Sequence, residues 1–220
     1  PVNAISHEVR QGLMAAVDAA VSDHEIKALI IACRGRTFMA GADITEFGSS
    51  PKPPGLPDVV MAMSESPILK VAAIFGTTLG GGFETALACD YRIAQSGSKV
   101  GLPEVKLGIL AGAHGTQRLP RVANVEFALK VMTSGEPVSV EAAQEAGAVD
   151  RVTTGDLIEE AVKYAEELIE AAAPRRPIQD MTIDKGKYNE EYFARYRESI
   201  ARKTRGLNAP ERSIRCVEAA

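Results

Sequence analysis

Residues 70–90 read KVAAIFGTTLGGGFETALACD, and this stretch decides the fold. Its first part, KVAAIFG, is a short apolar run that indicates a buried strand. The chain then passes through TTL into three glycines, Gly80 to Gly82, and FETALACD has the composition of a helix. Glycines allow close backbone approach, and a helix N-terminus offers free N–H groups. The stretch therefore predicts either tight strand–helix packing or a ligand site made of backbone donors.

The alternation of strand and helix continues outward from this stretch in both directions. Apolar periodicity and capping residues predict a helix over 6–21 with Ser6 as its N-cap, strands at 27–33, 70–76, 91–95 and 149–154, and helices at 57–64, 116–133, 139–147 and 155–173. The segments 34–47 and 98–115 contain glycine and are predicted to be loops. This order predicts an α/β fold with layers and largely parallel strand pairing.

The composition excludes several classes of protein. Of the 220 residues, 45% are hydrophobic and 25% are charged, which is typical of a globular domain with a real core. No apolar run approaches the roughly 20 residues of a membrane span, and no secretory signal is visible. Three scattered cysteines and three histidines argue against a disulfide framework and a metal site. Neither G-x-G-x-x-G nor GK[ST] occurs, so no dinucleotide fingerprint or Walker loop is expected.

Two glutamates are candidates for acid–base chemistry. Glu84 lies one helical turn after the three glycines, and Glu104 lies in a loop crowded with glycine and apolar residues. Single acids at such positions are most often surface residues or caps. Two acids that face one pocket, however, repel each other and divide into an acid and a base. A third segment, RGRTFMAGADITEF at 34–47, adds small residues whose backbone N–H groups are unobstructed.

In this order the three segments resemble the enoyl-CoA hydratase/isomerase (crotonase) superfamily. The motifs are FMAGADI (38–44), GTTLGGGFETALACDYRIA (76–94) and GLPEVKLGILAGAHGTQRL (101–119), and the resemblance extends from PVNAIS (1–6) to about residue 173. It is closest to the N-terminal hydratase domain of multifunctional β-oxidation enzymes, which carry a 3-hydroxyacyl-CoA dehydrogenase after it. TEFGSSPKPPGLPDVV (45–60) and APERSIRCVEAA (209–220) are similar to that subgroup's loop and linker helix. The resemblance implies a crotonase-like ββα superhelix, with stacked sheets ringed by helices and a C-terminal helical extension.

The resemblance implies hydration of trans-2-enoyl-CoA to 3-hydroxyacyl-CoA in fatty-acid β-oxidation. It also allows Δ3-Δ2 enoyl-CoA isomerase activity at the same site, because that reaction needs the same oxyanion hole and one acid. The thioester oxygen would lie between the backbone N–H groups of Ala42 and Gly81, where fixed donors stabilise developing enolate charge. Glu84 and Glu104 would hold one water molecule between them. By family analogy Glu84 is the base and Glu104 donates the proton to C2, although a coupled pair has no microscopic assignment from sequence.

The resemblance also implies how coenzyme A is held. Its adenine would lie against the backbone of Ala40, Ala42 and Ile44. Arg36 is placed to meet a phosphate, but on sequence grounds it is equally a solvated surface arginine. Gly112 would open the helix under the active site.

Three residues depart from the family's pattern. Ala111 stands where proline is frequent, His114 replaces a small residue, and Leu102 replaces a polar residue of many monofunctional hydratases. These changes leave Glu84 and Glu104 in place. They prevent a prediction of the acyl chain length that the enzyme prefers. His114 is a poor candidate for a base, because the chemistry of the family does not use one.

The segment 174–220 differs from the body in charge. Residues 1–173 carry 14 Lys/Arg and 22 Asp/Glu, a net charge of −8, whereas the segment carries 11 and 7, a net charge of +4. A helical stripe in it recurs every four residues and must pack on another surface: Tyr188, Tyr192, Tyr196 and Ile200. We predict docking onto the acidic body, with a solvated tail or a polyanion-binding arm as the alternatives.

These interpretations divide the chain into a crotonase-like hydratase core at 1–173 and a helical segment at 174–220 that leads to a dehydrogenase domain. The expected partner is an acyl-CoA thioester substrate, without nucleic acid or a membrane span, and with either a homo-oligomer (trimer or hexamer) or packing against the dehydrogenase domain. No cofactor or metal is expected in this segment, and NAD is expected only for the dehydrogenase domain. The expected location is cytoplasmic, or peroxisomal if the source is eukaryotic. The alternatives are another acyl-CoA enzyme of the superfamily (an isomerase or a decarboxylase) and a non-enzymatic CoA-fold binding module.

Overall fold

The computed structural model describes residues 3–46, 48, 50 and 52–220. Its strands are β1 (Ala28–Ile31), β2 (Leu69–Ile74), β3 (Thr77–Leu79), β4 (Tyr91–Gln95), β5 (Lys99–Gly101), β6 (Val138–Ser139) and β7 (Arg151–Thr153). Its α-helices are α1 (His7–Ser22), α2 (Leu56–Glu65), α3 (Gly81–Leu87), α4 (Gly115–Val122), α5 (Val125–Ser134), α6 (Val140–Glu145), α7 (Leu157–Glu170), α8 (Glu190–Ile200) and α9 (Ala209–Glu218). Short 3₁₀ helices occupy Ile44–Glu46, Pro103–Leu107 and Ile178–Asp180. No helix in these ranges is long and apolar enough to cross a membrane.

The strands form two sheets. β1, β2, β4 and β7 pair in that order and all in parallel, as the alternation of strand and helix predicts. A smaller sheet has the order β3, β5, β6, with β3 and β5 parallel and β5 and β6 antiparallel. The sequence did not predict this second sheet, because strands of two or three residues are too short to show an alternating pattern.

β2 is one of the two central strands of the larger sheet and is buried on both faces. Val71 and Ala73 face Ala161 and Leu168 of α7, whereas the alternate residues, such as Ile74, belong to the main apolar core. A strand covered on both faces reads as a continuous apolar run, which is why KVAAIFG predicts it correctly. Gly76, with φ of 66°, ends this run and redirects the chain into β3 of the second sheet.

Helix boundaries follow the capping residues more closely than the apolar periodicity. Ser6 caps α1 as predicted, and its side chain accepts a hydrogen bond from the Val9 N–H. The helix predicted over 116–133 is wrong as a single element, since it is two helices, α4 and α5. The break lies at Asn124, whose side chain caps α5 by accepting from the Phe127 N–H at 2.7 Å.

The segment 174–220 packs against the body, so its aromatic stripe is covered. α9 contacts α4 and α5, and α8 contacts α9. The Tyr188 hydroxyl donates to Glu126 at 2.6 Å, and the Tyr196 hydroxyl shares a 2.8 Å hydrogen bond with that of Thr133. Apolar side chains of the segment join the main core: Ile178, Tyr188, Phe193, Ile214 and Val217. This packing agrees with the predicted docking onto the body.

Ion pairs fasten the start of the segment. Arg175 lies 3.4 Å from Asp90, and the backbone N–H of Arg176 donates to the same carboxylate at 2.9 Å. The guanidinium of Arg176 pairs with Asp150. Basic residues of the segment therefore meet acidic residues of the body, as the charge difference predicts. The division into a hydratase core at 1–173 and a helical segment at 174–220 stays a prediction.

Burial in the C-terminal segment gives a matched pair of stability tests. Phe193→Ala removes a ring that is only 2% exposed, and we expect it to lower the free energy of unfolding by about 3–5 kcal/mol. Leu207→Ala is the control, because that side chain is 56% exposed, and it should change stability by no more than about 0.5 kcal/mol. Urea denaturation measures the free energy of unfolding of both variants. A loss in Phe193→Ala as small as that expected for Leu207→Ala would show that α8 does not contribute to the core.

Candidate active site

The site begins where the N-terminus of α3 meets the segment around Met39. A Cβ at Gly82 would overlap the carbonyl oxygen of Met39, so only glycine allows this contact. The Leu79 N–H donates to the same carbonyl at 3.2 Å. A parallel bridge between Ile5 and Ala42 holds the other side of the segment. Two stretches that are far apart in sequence are thereby locked backbone to backbone.

This contact brings together two backbone donors without acceptors. Gly81 is the first residue of α3, where helix geometry leaves the N–H unpaired. The Ala42 nitrogen lies 3.6 Å from the place where a Gly81 Cβ would be. Neither N–H donates a hydrogen bond to any residue that the structure describes. Both residues line the same cavity, so the two donors can polarise one carbonyl oxygen.

The cavity has a volume of about 350 Å³ and a mostly apolar wall. It receives residues from the 40–42 segment, from α2, from the start of α3, and from the stretch 103–113. Its lining includes Ala40, Ala42, Leu56, Pro57, Gly81, Glu84, Glu104, Leu107, Ile109, Leu110, Gly112 and Ala113. Glu84 and Glu104 are the acidic residues of this lining, which brings the two predicted carboxylates to one cavity.

Glu84 is held by backbone donors and is 2% exposed. Its Oε1 accepts hydrogen bonds from the N–H groups of Ala113 and Gly115, both at 2.8 Å. A Cβ at Gly115 would lie 2.8 Å from that oxygen, so the turn before α4 fits around the carboxylate. Burial raises the pKa of Glu84 to about 7, against the two N–H groups that favour the charged form.

Glu104 faces the cavity from the 3₁₀ helix at Pro103–Leu107. Its Oε1 lies 2.7 Å from the place where a Cβ of Gly80 would be, so the carboxylate sits against the glycine loop. Its Oε2 is buried and accepts no hydrogen bond from the described residues. Burial raises the pKa of Glu104. The negative charge of Glu104 also raises the pKa of Glu84, so the two groups titrate as a pair.

Only some of the residues predicted to hold coenzyme A are found in the lining of the cavity. Ala40 and Gly112 line the cavity, whereas Arg36 does not. The side chain of Ile44 lies outside the part of the chain that the structure describes. Ile44 begins a 3₁₀ helix, and Arg36 is exposed in the loop after β1. The prediction that Gly112 opens a helix is wrong: it lies in a turn, and α4 begins at Gly115.

Sequence reasoning missed the groups that hold Glu84 and close the cavity. The donors to Glu84 are the backbone N–H groups of Ala113 and Gly115, which any residue but proline supplies, so they leave no sequence signal. Leu56 and Pro57 enter the cavity from α2 across a long separation in the chain. The glycine at 115 was the one available signal, since it stands beside the apolar residues that precede α4.

Comparisons with known proteins identify the family of the chain. A sequence model described as enoyl-CoA hydratase/isomerase matches residues 1–185. The peroxisomal bifunctional enzyme of Danio rerio is 38% identical over 220 residues, which are 100% of this chain and 31% of that protein. The fatty acid oxidation complex subunit alpha of Acinetobacter baylyi is 40% identical over 169 residues, 73% of this chain and 24% of that protein. The chain thus spans less than a third of the length of these relatives.

A solved structure is similar over nearly the whole chain. The enoyl-CoA hydratase of Bacillus anthracis superposes with a TM-score of 0.70 at 27% identity, covering 99% of this chain and 83% of that one. This likeness confirms the predicted crotonase-like fold class.

The raised pKa of Glu84 predicts a pH-dependent stability difference. Unfolding returns the carboxyl to its ordinary pKa of 4.5, so the folded state binds the proton more tightly. The contribution of Glu84 to stability is then full below about pH 4.5 and is lost as the pH rises through 7. Glu84→Gln stays neutral and keeps an oxygen for both N–H donors. Relative to the native protein, this variant should gain about 2–3 kcal/mol between pH 4.5 and pH 8.

Urea denaturation at several pH values measures this difference. Glu166→Gln, which neutralises an exposed carboxylate on α7, is the control for general charge effects. A stability difference between Glu84→Gln and the native protein that does not change with pH would contradict the raised pKa.

Proposed function

Because the chain belongs to the enoyl-CoA hydratase/isomerase family, we propose that it hydrates trans-2-enoyl-CoA to 3-hydroxyacyl-CoA. One observation carries the proposal. Two carboxylates, buried Glu84 and half-buried Glu104, line one apolar cavity. The unpaired N–H groups of Ala42 and Gly81 lie on the same cavity. Hydration of a conjugated thioester needs these two functions, a pair of proton carriers and donors for the thioester oxygen.

In this proposal the thioester oxygen accepts hydrogen bonds from Ala42 and Gly81. Negative charge grows on that oxygen when water adds to C3, and donors that are already in place need not reorganise. Gly81 lies at the N-terminus of α3, although this helix is short and its dipole is a minor contribution. The apolar side chains of Leu56, Leu107 and Ile109 are suited to contact the acyl chain.

The carboxylates then move the protons. Ionised Glu84 accepts a proton from water as the water oxygen bonds to C3, and protonated Glu104 delivers its proton to C2. The net result is addition of one water molecule, with the proton of the pair transferred from Glu104 to Glu84. The raised pKa values of both groups support a shared proton near neutral pH, and the assignment of acid and base follows the family. Hydration is redox-neutral, so the step needs no electron carrier.

We also propose that the chain is the hydratase part of a multifunctional β-oxidation enzyme. The proteins named peroxisomal bifunctional enzyme match all of this chain with 31% of their own length, which supports a further domain beyond it. Their name supports a peroxisomal location if the source is eukaryotic. Backbone at Ala40 remains the proposed adenine contact, and exposed Arg36 the proposed phosphate contact.

The two-carboxylate proposal predicts large losses of turnover. Glu84→Gln and Glu104→Gln should each lower kcat for crotonyl-CoA hydration by about 100-fold or more, the usual size of general acid–base effects. The Kd of a CoA ester should change little, because the adenine and phosphates contribute most of the binding. The assay follows loss of the absorbance of the conjugated thioester, with Glu166→Gln as the control.

Near-native turnover of either variant would contradict the proposal. A loss confined to Glu104→Gln would favour an isomerase, which needs the oxyanion donors and one acid.

A further inference from the structure

A second cavity lies between α2, α4 and the 3₁₀ helix at Ile178–Asp180. Its volume is about 130 Å³, and it is lined mainly by polar and basic side chains: Met61, His114, Gln117, Arg118, Arg121 and Gln179. None of them lines the cavity that holds Glu84 and Glu104. The proposed hydration therefore gives this second cavity no role.

Arg118 is a buried cation without a counter-ion in this cavity. It is 2% exposed, and its Nη1 donates to the Ser64 hydroxyl at 2.9 Å. Its Nε finds no acceptor, and no carboxylate lies within ion-pair distance among the described residues. Glu65 and Glu84 act on it only through space. A guanidinium that has lost water without gaining a negative partner is costly, unless an anion enters from solution.

His114 also lines the cavity and carries a second buried atom without a partner among the described residues. It stands immediately before α4 in a left-handed conformation, with φ of 70° and ψ of 8°. The ring forms a hydrogen bond with the backbone of Pro57, and its buried Nε2 has no partner among the described residues. Burial and the charge of Arg118 lower the pKa of His114, whereas Pro57 and Asp58 raise it. The net effect lowers the pKa of His114 and favours the neutral ring.

The remaining lining adds charge but no acceptor for these atoms. Arg121 donates to Gln117, to the carbonyl of Met181 and to that of Ala220, so its own nitrogens are satisfied. It contributes positive charge beside Arg118. The 3₁₀ helix contributes the uncharged Gln179, whose oxygen accepts from the Ser64 hydroxyl.

We propose that this cavity binds a small oxyanion, a carboxylate or inorganic phosphate, beside the guanidinium of Arg118 and the ring of His114. The guanidinium supplies the permanent charge, and the imidazole takes up a proton when the anion arrives and then donates to it. Binding and protonation are linked, so the affinity rises as the pH falls. This cavity is also coupled to the active site through charge. Burial raises the pKa of Glu84, and the charge of Arg118 opposes that rise.

NMR of the histidine rings tests the proposal on the intact chain. The chain has only three histidines, so His114 can be followed beside His7 and His24 as internal references. Titration with inorganic phosphate, against sodium chloride at equal ionic strength, should shift the His114 resonances saturably. The pKa of His114 should rise by about one unit, the size expected for an opposite charge nearby. Acetate in place of phosphate distinguishes the two sources of oxyanion.

Two substitutions make the test specific. Gln179→Glu places a carboxylate at the exposed rim of the cavity and should weaken the phosphate response by at least about tenfold, because it supplies the missing anion internally. Gln11→Glu adds the same charge at an exposed position of α1 and should leave the response intact. Arg118→Met should abolish the response, and Gln179→Glu remains informative if the buried substitution prevents folding.

Saturation by phosphate or by acetate at His114 alone, and its loss in Gln179→Glu, would support the site. A response that chloride reproduces, that the three histidines share, or that survives in Gln179→Glu would overturn it and leave a cavity filled by water.

Discussion

The contact between Gly82 and the carbonyl of Met39 is the constraint on which the rest of the site depends. A side chain at residue 82 would separate the start of α3 from the 39–42 segment. With glycine there, the first N–H of the helix and the N–H of Ala42 lie on one wall of the cavity. The helix then carries Glu84 one turn further to the same cavity. One close approach of two backbones thus fixes both the donors and a carboxylate.

The protein holds the buried carboxylate with neutral dipoles. Glu84 has no ion-pair partner among the described residues, and the N–H groups of Ala113 and Gly115 bind only one of its oxygens. An arginine in direct contact would lower its pKa below neutrality and remove its use as a proton carrier. Backbone donors stabilise the charged form less, so burial outweighs them and the pKa stays near 7. The basic side chains of α4, Arg118 and Arg121, line the second cavity and not the one that holds Glu84, which fits this balance.

Long apolar runs and capping residues could be read from the sequence, and short or backbone-made features could not. β2 was predictable because burial on both faces gives a nearly continuous apolar stretch. The aromatic stripe at 188–200 indicated that α8 packs on the body. The second sheet was missed because its strands have two or three residues. The apolar periodicity continues through Asn124, so it hides the break between α4 and α5.

The same distinction between side-chain features and backbone-made features applies to the candidate site. Glu84 and Glu104 were identified because side-chain type and motif position are visible in a sequence. The donors to Glu84 were not, because a backbone N–H is common to nearly all residues. Arg36 was a weak candidate because an exposed arginine after a strand looks the same with or without a ligand. Its position outside the cavity depends on how the loop after β1 folds, which no local pattern encodes.

The most direct test of the central claim compares Gly81→Pro with Gly81→Ala in the hydration of crotonyl-CoA. Both variants add a Cβ that meets the flexible end of Leu56, at 2.6 Å before any adjustment, but only proline removes the N–H. Proline is well tolerated at the first position of a helix, so α3 should still form. We predict that kcat/KM is lower for Gly81→Pro than for Gly81→Ala by about 10²- to 10³-fold, the effect of losing one oxyanion donor. Equal activities in two folded variants would contradict the claim that this backbone contact builds the site.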